Sequence, residues 1–260
     1  MKCLPALALG LLVLAACSKP STGAGSGPGS AHITVFAASS LTGAFTEIGK
    51  QYEASNPGAK VDFSFGPSDG LAQQIDQGAP ADVFASASTK WMNDVSRNGP
   101  GVSGEVTFAQ NKLVVITPKD NPAHVGSFED LASPGVQLVV AAEGVPAGDY
   151  AREALDNAGI AQKAEANIVS NEQDDAAVVQ KVASGEADAG VVYRSDVSAV
   201  SGANVKAVVI SDSVNVIATY PIAAVAGPDS SVEASRFVSY VTGPEGQKVL
   251  DAFGFLPAPG

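Results

Sequence analysis

The side chains that most often carry chemistry are scarce in this 260-residue chain: two cysteines, two histidines, one tryptophan and two methionines. Cys3 and Cys17 both belong to an apolar N-terminal stretch, so the rest of the chain has no thiol for a disulfide, a redox pair or a thiolate metal site. With only His32 and His124, no His/Cys/Asp cluster has metal-ligand spacing, and acid–base or covalent catalysis has little to work with. A P-loop and a complete dinucleotide fingerprint are both missing. Positive charge is short as well: 15 Lys and Arg face 27 Asp and Glu, for a formal net charge of -12. A field of that sign argues against nucleic acid or anionic lipid as a partner held by charge. An anionic ligand would need a local site that overcomes it. What is abundant is small and apolar. The chain is 45 % hydrophobic with 27 Gly and 16 Pro, a globular composition rich in turns.

The first segment, "MKCLPALALGLLVLAAC" (1–17), has Lys2, an apolar run from Leu4 to Ala16 and a small-residue end. The run is too short to span a bilayer comfortably. Leu14-Ala15-Ala16-Cys17 resembles the lipobox of bacterial lipoproteins, which implies cleavage before Cys17 and lipidation of that cysteine. An ordinary secretory signal is the alternative. Residues 18–30, "SKPSTGAGSGPGS", form a tether of Ser, Gly and Pro with a reach of roughly 20 Å. Two acyl chains anchor stably where one is marginal. The expectation is an extracytoplasmic body, in the periplasm or at the cell surface, held to a membrane through lipid alone.

From Ala31 on, β-rich runs alternate with helical patterns. Strands are expected at 32–37, 60–65, 82–87, 112–117, 136–142, 166–170, 189–193, 205–210 and 220–226. Helices are expected at 41–54, 70–77, 89–97, 149–158, 174–184, 230–241 and 244–252. In the first helix, Leu41, Phe45, Ile48 and Tyr52 make one apolar stripe. Strand–helix alternation with near-continuous apolar strands predicts an α/β protein with mixed, mostly parallel sheets covered on both faces. This many strands imply two sheets. Ligands in such folds sit where strand C-termini meet helix N-termini.

Four junctions of that kind stand out. In "ITVFAASSLTGAF" (33–45), Ser40 is placed as an N-cap, while Ser39 has no assigned task. In "FSFGPSDGL" (63–71), Gly66-Pro67-Ser68-Asp69-Gly70 matches the G-x-S-x-G nucleophile elbow. A serine hydrolase using Ser68 would need a base from His32 or His124, and Pro67 is awkward in a strained elbow. In "VPAGDYAREAL" (145–155), Ala147 and Gly148 lack bulk and expose backbone N–H groups at a helix start. In "NEQDDAAVV" (171–179), Asp174 and Asp175 suit a helix N-terminus electrostatically.

The segments "VFAASSLTGAF", "QQIDQGAPADVFASAS", "NKLVVITP", "VPAGDYAREAL", "GEADAGVVYRSD" and "YPIAAV" occur in this order over roughly 31–256. As an ordered set they resemble the periplasmic molybdate-binding proteins of ABC importers, which are type II solute-binding proteins. The resemblance implies a two-lobe fold with a ligand cleft, no enzyme activity and no cofactor. The cargo it implies is a tetrahedral oxyanion, molybdate and also tungstate, delivered by a monomer to the membrane subunits of a permease. It implies a donor set as well: hydroxyl and N–H from Ser40, the hydroxyl of Ser68, backbone N–H from Ala147 and Asp175, and the phenol of Tyr193. Asp175 stands where the family usually has an apolar residue. It keeps its donor provided its side chain turns to water. Lobe one is expected over about 31–113 plus 222–260 and lobe two over about 114–221, with crossover strands near 112–116 and 218–222.

The energetics allow such a site. Hydrogen bonds to a charged partner contribute about 1.5–3 kcal/mol each, and nanomolar affinity needs about 12 kcal/mol. Six or seven suffice without an arginine, and helix N-termini add to them. An all-donor site favours a fully deprotonated anion. Sulfate meets that condition as molybdate and tungstate do, so the same fold with another oxyanion stays open beside the hydrolase.

Overall fold

The computed structural model describes residues 31–199, 204–227 and 232–259; the leader with Cys17 and the 18–30 tether lie outside the described residues. In chain order the elements are β1 (Ala31–Ala38), α1 (Thr42–Ser55), β2 (Ala59–Gly66), α2 (Ser68–Asp76), β3 (Val83–Ala85), α3 (Thr89–Arg97), β4 (Val102–Pro118), β5 (Leu138–Ala141), α4 (Pro146–Asn157), α5 (Ala161–Glu165), β6 (Ile168–Glu172), α6 (Asp175–Ser184), β7 (Ala189–Tyr193), α7 (Arg194–Ala199), β8 (Val205–Val209), β9 (Ile217–Val225), α8 (Val232–Thr242), α9 (Pro244–Ala252) and β10 (Leu256–Pro257). One-turn 3₁₀ segments at Ser39–Leu41 and Glu129–Ala132 complete the set.

Period-2 alternation sorts the strand side chains onto two buried faces. On β1, Ile33, Val35 and Ala37 join the large core under α1 and α8, while Phe36 points the other way. There Phe36 meets Leu71 and Ile75 of α2, Phe84 of β3, and Met92 and Val95 of α3. The α1 stripe packs as its spacing predicts. Phe45, Ile48 and Tyr52 are buried, and the Phe45 ring lies 5.7 Å from Phe108 and 6.3 Å from Phe237.

Two sheets result. The first has the order β2-β1-β3-β9-β4-β10, the second β6-β5-β7-β4-β8. In each sheet four strands run one way. β9 and β10 oppose them in the first, β4 in the second. The long β4 belongs to both: its pairing with β9 ends at Lys112–Ile217, and its pairing with β7 begins at Leu113–Tyr193.

Expected and observed elements differ most at β4, which starts ten residues before the expected 112. Gly104, Glu105, Gln110 and Asn111 break the apolar pattern there, and register shifts at Ser103/Val106 and Thr107/Ala109 break the period of two. The short α5, α7 and β10 carry too few residues for a periodic signal. Ser40 is not the N-cap of the first helix. It sits inside the 3₁₀ turn, α1 opens at Thr42 after Leu41, and no side chain caps it.

Candidate functional site

Strand ends from both sheets converge on one small cavity of ≈ 10 Å³. Ser39 lines it after β1, Ser68 after β2, Ala87 after β3, Ala147 after β5, Asp174 and Asp175 after β6, and Tyr193 at the end of β7. The space is close to that of a single water and far below the roughly 300–1,000 Å³ of pockets for organic ligands. It is too small for a sugar or an amino acid. No lysine or arginine is among the described residues that line it. Three helix N-termini, those of α2, α4 and α6, open onto it, so positive potential comes from backbone dipoles.

Ser68 is the first residue of α2 and is buried. Its Oγ accepts the N–H of Ala87 at 3.0 Å, which leaves its own hydroxyl proton for donation. Ala147 is the second residue of α4, after Pro146, so its N–H has no partner within the helix. Gly148 then lets the helix approach β5. A Cβ there would stand 2.2 Å from the carbonyl oxygen of Ala142 and 2.4 Å from that of Ala141.

Tyr193 is 0 % exposed, and its hydroxyl has no hydrogen-bond partner within the protein. Burial, the largest cause, with Tyr220 and Asp175 adding to it, pushes its pKa well above the usual phenol value. The proton therefore stays on. A buried donor without an acceptor is rare in folded proteins. Here it lines the cavity.

Asp175 departs from expectation. Its side chain does not turn to water: the residue is 5 % exposed, and Oδ1 is buried without a partner. Burial first, then the charge of Asp174, raises its pKa from 3.8 to about 7. Asp174 itself caps α6, its Oδ1 accepting the N–H of Ala177 at 2.9 Å.

Ser40 also differs from its expected place. It is not among the residues lining the cavity, whereas Ser39 is. The Ser40 hydroxyl lies 2.9 Å from the Tyr220 hydroxyl, which Asn111 Nδ2 approaches at 3.5 Å while donating to Ser195 Oγ at 2.8 Å. This buried network, together with Asp196, whose Oδ2 accepts the Tyr193 N–H at 2.9 Å, gave no local signal in the sequence. Its members lie on β4, β7–α7 and β9, up to 180 residues from Ser40.

The hydrolase reading is overturned. The hydroxyl of Ser68 meets a backbone N–H rather than a base. His124 is exposed at a left-handed position (φ 55°), and the His32 ring pairs with Asp62 at 2.7 Å. Among the described residues no three His, Cys, Asp or Glu side chains are grouped to hold a metal ion.

The two halves touch beside the cavity. From α3, Lys90 Nζ lies 3.3 Å from Asp149 Oδ2, and Trp91 Nε1 donates to the Gly144 carbonyl at 2.9 Å.

The profile of bacterial extracellular solute-binding proteins matches residues 33–256. The molybdate-binding protein ModA of Mycobacterium tuberculosis (strain H37Rv) is 40 % identical over 249 residues, which are 96 % of this chain and 94 % of that protein. Among solved structures, the substrate-binding domain of a putative molybdenum ABC transporter from Clostridium difficile aligns with a TM-score of 0.68 at 30 % identity, covering 88 % of this chain and all of that one (100 %). The periplasmic molybdate-binding protein of Azotobacter vinelandii aligns with a TM-score of 0.76 at 22 % identity, covering 87 % of this chain and 100 % of that one, and supports the fold.

Proposed function

Since this chain belongs to the bacterial extracellular solute-binding protein family, we propose that it captures molybdate between two lobes and delivers it to the permease of an ABC importer. It is a binding protein and not an enzyme. The observation that carries the choice of a compact oxyanion is the partner-free hydroxyl of Tyr193, buried at a ≈ 10 Å³ cavity with no lysine or arginine in its lining.

In this reading the anion is held by donors alone: the turn at Ser39 and Ser40, the hydroxyl of Ser68, the N–H groups of Ala147 and Asp175, and Tyr193. Ser40 supports the turn from behind through Tyr220. Helix N-termini supply the field that the acidic surface withholds. Tungstate has the same shape and charge as molybdate and is a second cargo. Sulfate is smaller and equally free of protons at neutral pH, and the choice of molybdate over it is supported by the 40 % identity to a molybdate-binding relative.

Lobe one comprises about 31–113 plus 222–260 and lobe two about 114–221, so the chain crosses between them on β4 and within β9. Ligand touching both lobes favours the closed form, and the permease reads that form. Lipid on Cys17 holds the monomer at the membrane, and the tether lets it search near the permease.

Isothermal calorimetry with molybdate, tungstate, sulfate and phosphate tests the reading. Molybdate and tungstate are expected to bind tightly and sulfate far more weakly. Sulfate binding as tightly as molybdate, or no response to any oxyanion, overturns it.

A further inference from the structure

Asp175 is the group that a site for a proton-free dianion does not need. Its backbone opens α6 toward the cavity, but its carboxyl is enclosed there too, with Oδ1 buried and unpartnered. An ionised carboxylate at that place would repel the anion and would offer only acceptors to it. A neutral carboxyl carries one O–H donor. We propose that Asp175 binds the oxyanion through its side chain as a protonated carboxyl, so that each molybdate enters together with one proton.

The surroundings of Asp175 favour the neutral form. Asp174 beside it adds to the effect of burial on Asp175, and Asp196 from α7, raised by its own burial and then by Asp175, keeps its proton. Tyr193 from β7 and Tyr220 from β9 hold their protons, each pushed up chiefly by burial. Glu172 from β6 is committed to Lys181 of α6 at 2.7 Å. Among the described residues no cation contributes to the shift of Asp175, and a bound dianion adds a further reason to keep its proton. With Asp175 titrating at about 7, the competent fraction falls about tenfold per pH unit above that value. An anion that brings its own proton would meet the ionised carboxylate without this loss. The carboxyl thus makes the site sensitive to how many protons its anion carries. The contacts are to oxygens of the anion, not to its metal.

This inference rests on the oxyanion reading above, and one calorimetric series separates the two. Molybdate is titrated into the protein between pH 6 and 9 in buffers of different ionisation enthalpy. The expected result at pH 8–9 is uptake of close to one proton per molybdate, with affinity falling about tenfold per pH unit. Asp175→Asn, whose amide donates at every pH, is expected to bind with flat affinity and no proton uptake. Asp196→Asn retains the uptake. Molybdate binding with equal affinity at pH 6 and 9 and no proton uptake overturns the role of Asp175 and leaves the oxyanion site standing. Uptake lost in Asp196→Asn but kept in Asp175→Asn also overturns it, by moving the proton to Asp196. Absence of molybdate binding at every pH removes both readings. The proton count on the unaltered protein needs no variant to fold.

Discussion

The indole N–H of Trp91 donates to the carbonyl of Gly144 at 2.9 Å, joining the helix after β3 to the loop after β5. The bond ties one sheet to the other beside the cavity, and Lys90 and Asp149 lie next to it at 3.3 Å. Trp91→Phe keeps an aromatic ring, smaller than the indole, and removes the donor. The expected outcome is a weaker closed form, with molybdate affinity reduced by about 0.5–1.5 kcal/mol and most of the change in the release rate. Stopped-flow release beside calorimetry checks this. Unchanged release would mean that the bond does not hold the closed form.

Tyr193→Phe separates binding from stability, because its hydroxyl has no partner inside the protein. Removing that hydroxyl relieves a buried polar atom, so the ligand-free protein is expected to melt at the same temperature or higher. Molybdate affinity is expected to drop by about 1.5–3 kcal/mol. A variant that melts lower and binds normally would place the hydroxyl in the fold rather than in the site.

Gly148→Ala should fail for a geometric reason. Its Cβ would meet two backbone oxygens at 2.2 Å and 2.4 Å, and backbone cannot step aside as a side chain can. Overpacking of this kind costs about 1–3 kcal/mol or more. It also pushes the Ala147 N–H away from the cavity. A lower melting temperature together with lost molybdate binding is expected.

Stability should fall as pH rises from about 4 to about 7. Burial raises Asp175 to about 7 in the folded state, well above the unfolded value. A raised carboxyl pKa means that the folded state binds the proton more tightly. Its contribution is therefore complete below the unfolded pKa near 4 and is lost as pH climbs toward 7, at up to about 1.4 kcal/mol per unit. Melting temperature measured without ligand from pH 4 to 8 should decline, and Asp175→Asn should make the decline shallower, with the share of the buried Asp196 remaining.

Much of this arrangement is legible in the residues themselves, for local reasons. β1 and α1 announce themselves through alternation and a stripe, and both pack as their periods require. Ser68 and Ala147 stand at junctions where a strand ends and a helix begins, a position legible in the residues, whereas Tyr193 enters through the resemblance; all three line the cavity. What stayed hidden is set by distant neighbours. The Ser40 hydroxyl looks like a cap until Tyr220 arrives from β9 to take it. A charged residue at a helix start is expected to face water, yet Asp175 is enclosed and only 5 % exposed. The early half of β4 has no period of two because its partner strand, not its own pattern, holds it extended.

That same strand has a consequence for how the molecule comes apart. Because β4 hydrogen-bonds into both sheets, with the change of partner falling between Lys112 and Leu113, each sheet is completed by one part of a strand whose other part completes the other sheet. The protein has no seam along which to be divided. A chain severed at that point leaves two frayed edges instead of two halves. Melting should accordingly proceed as one cooperative event, with the two sheets losing amide protection together.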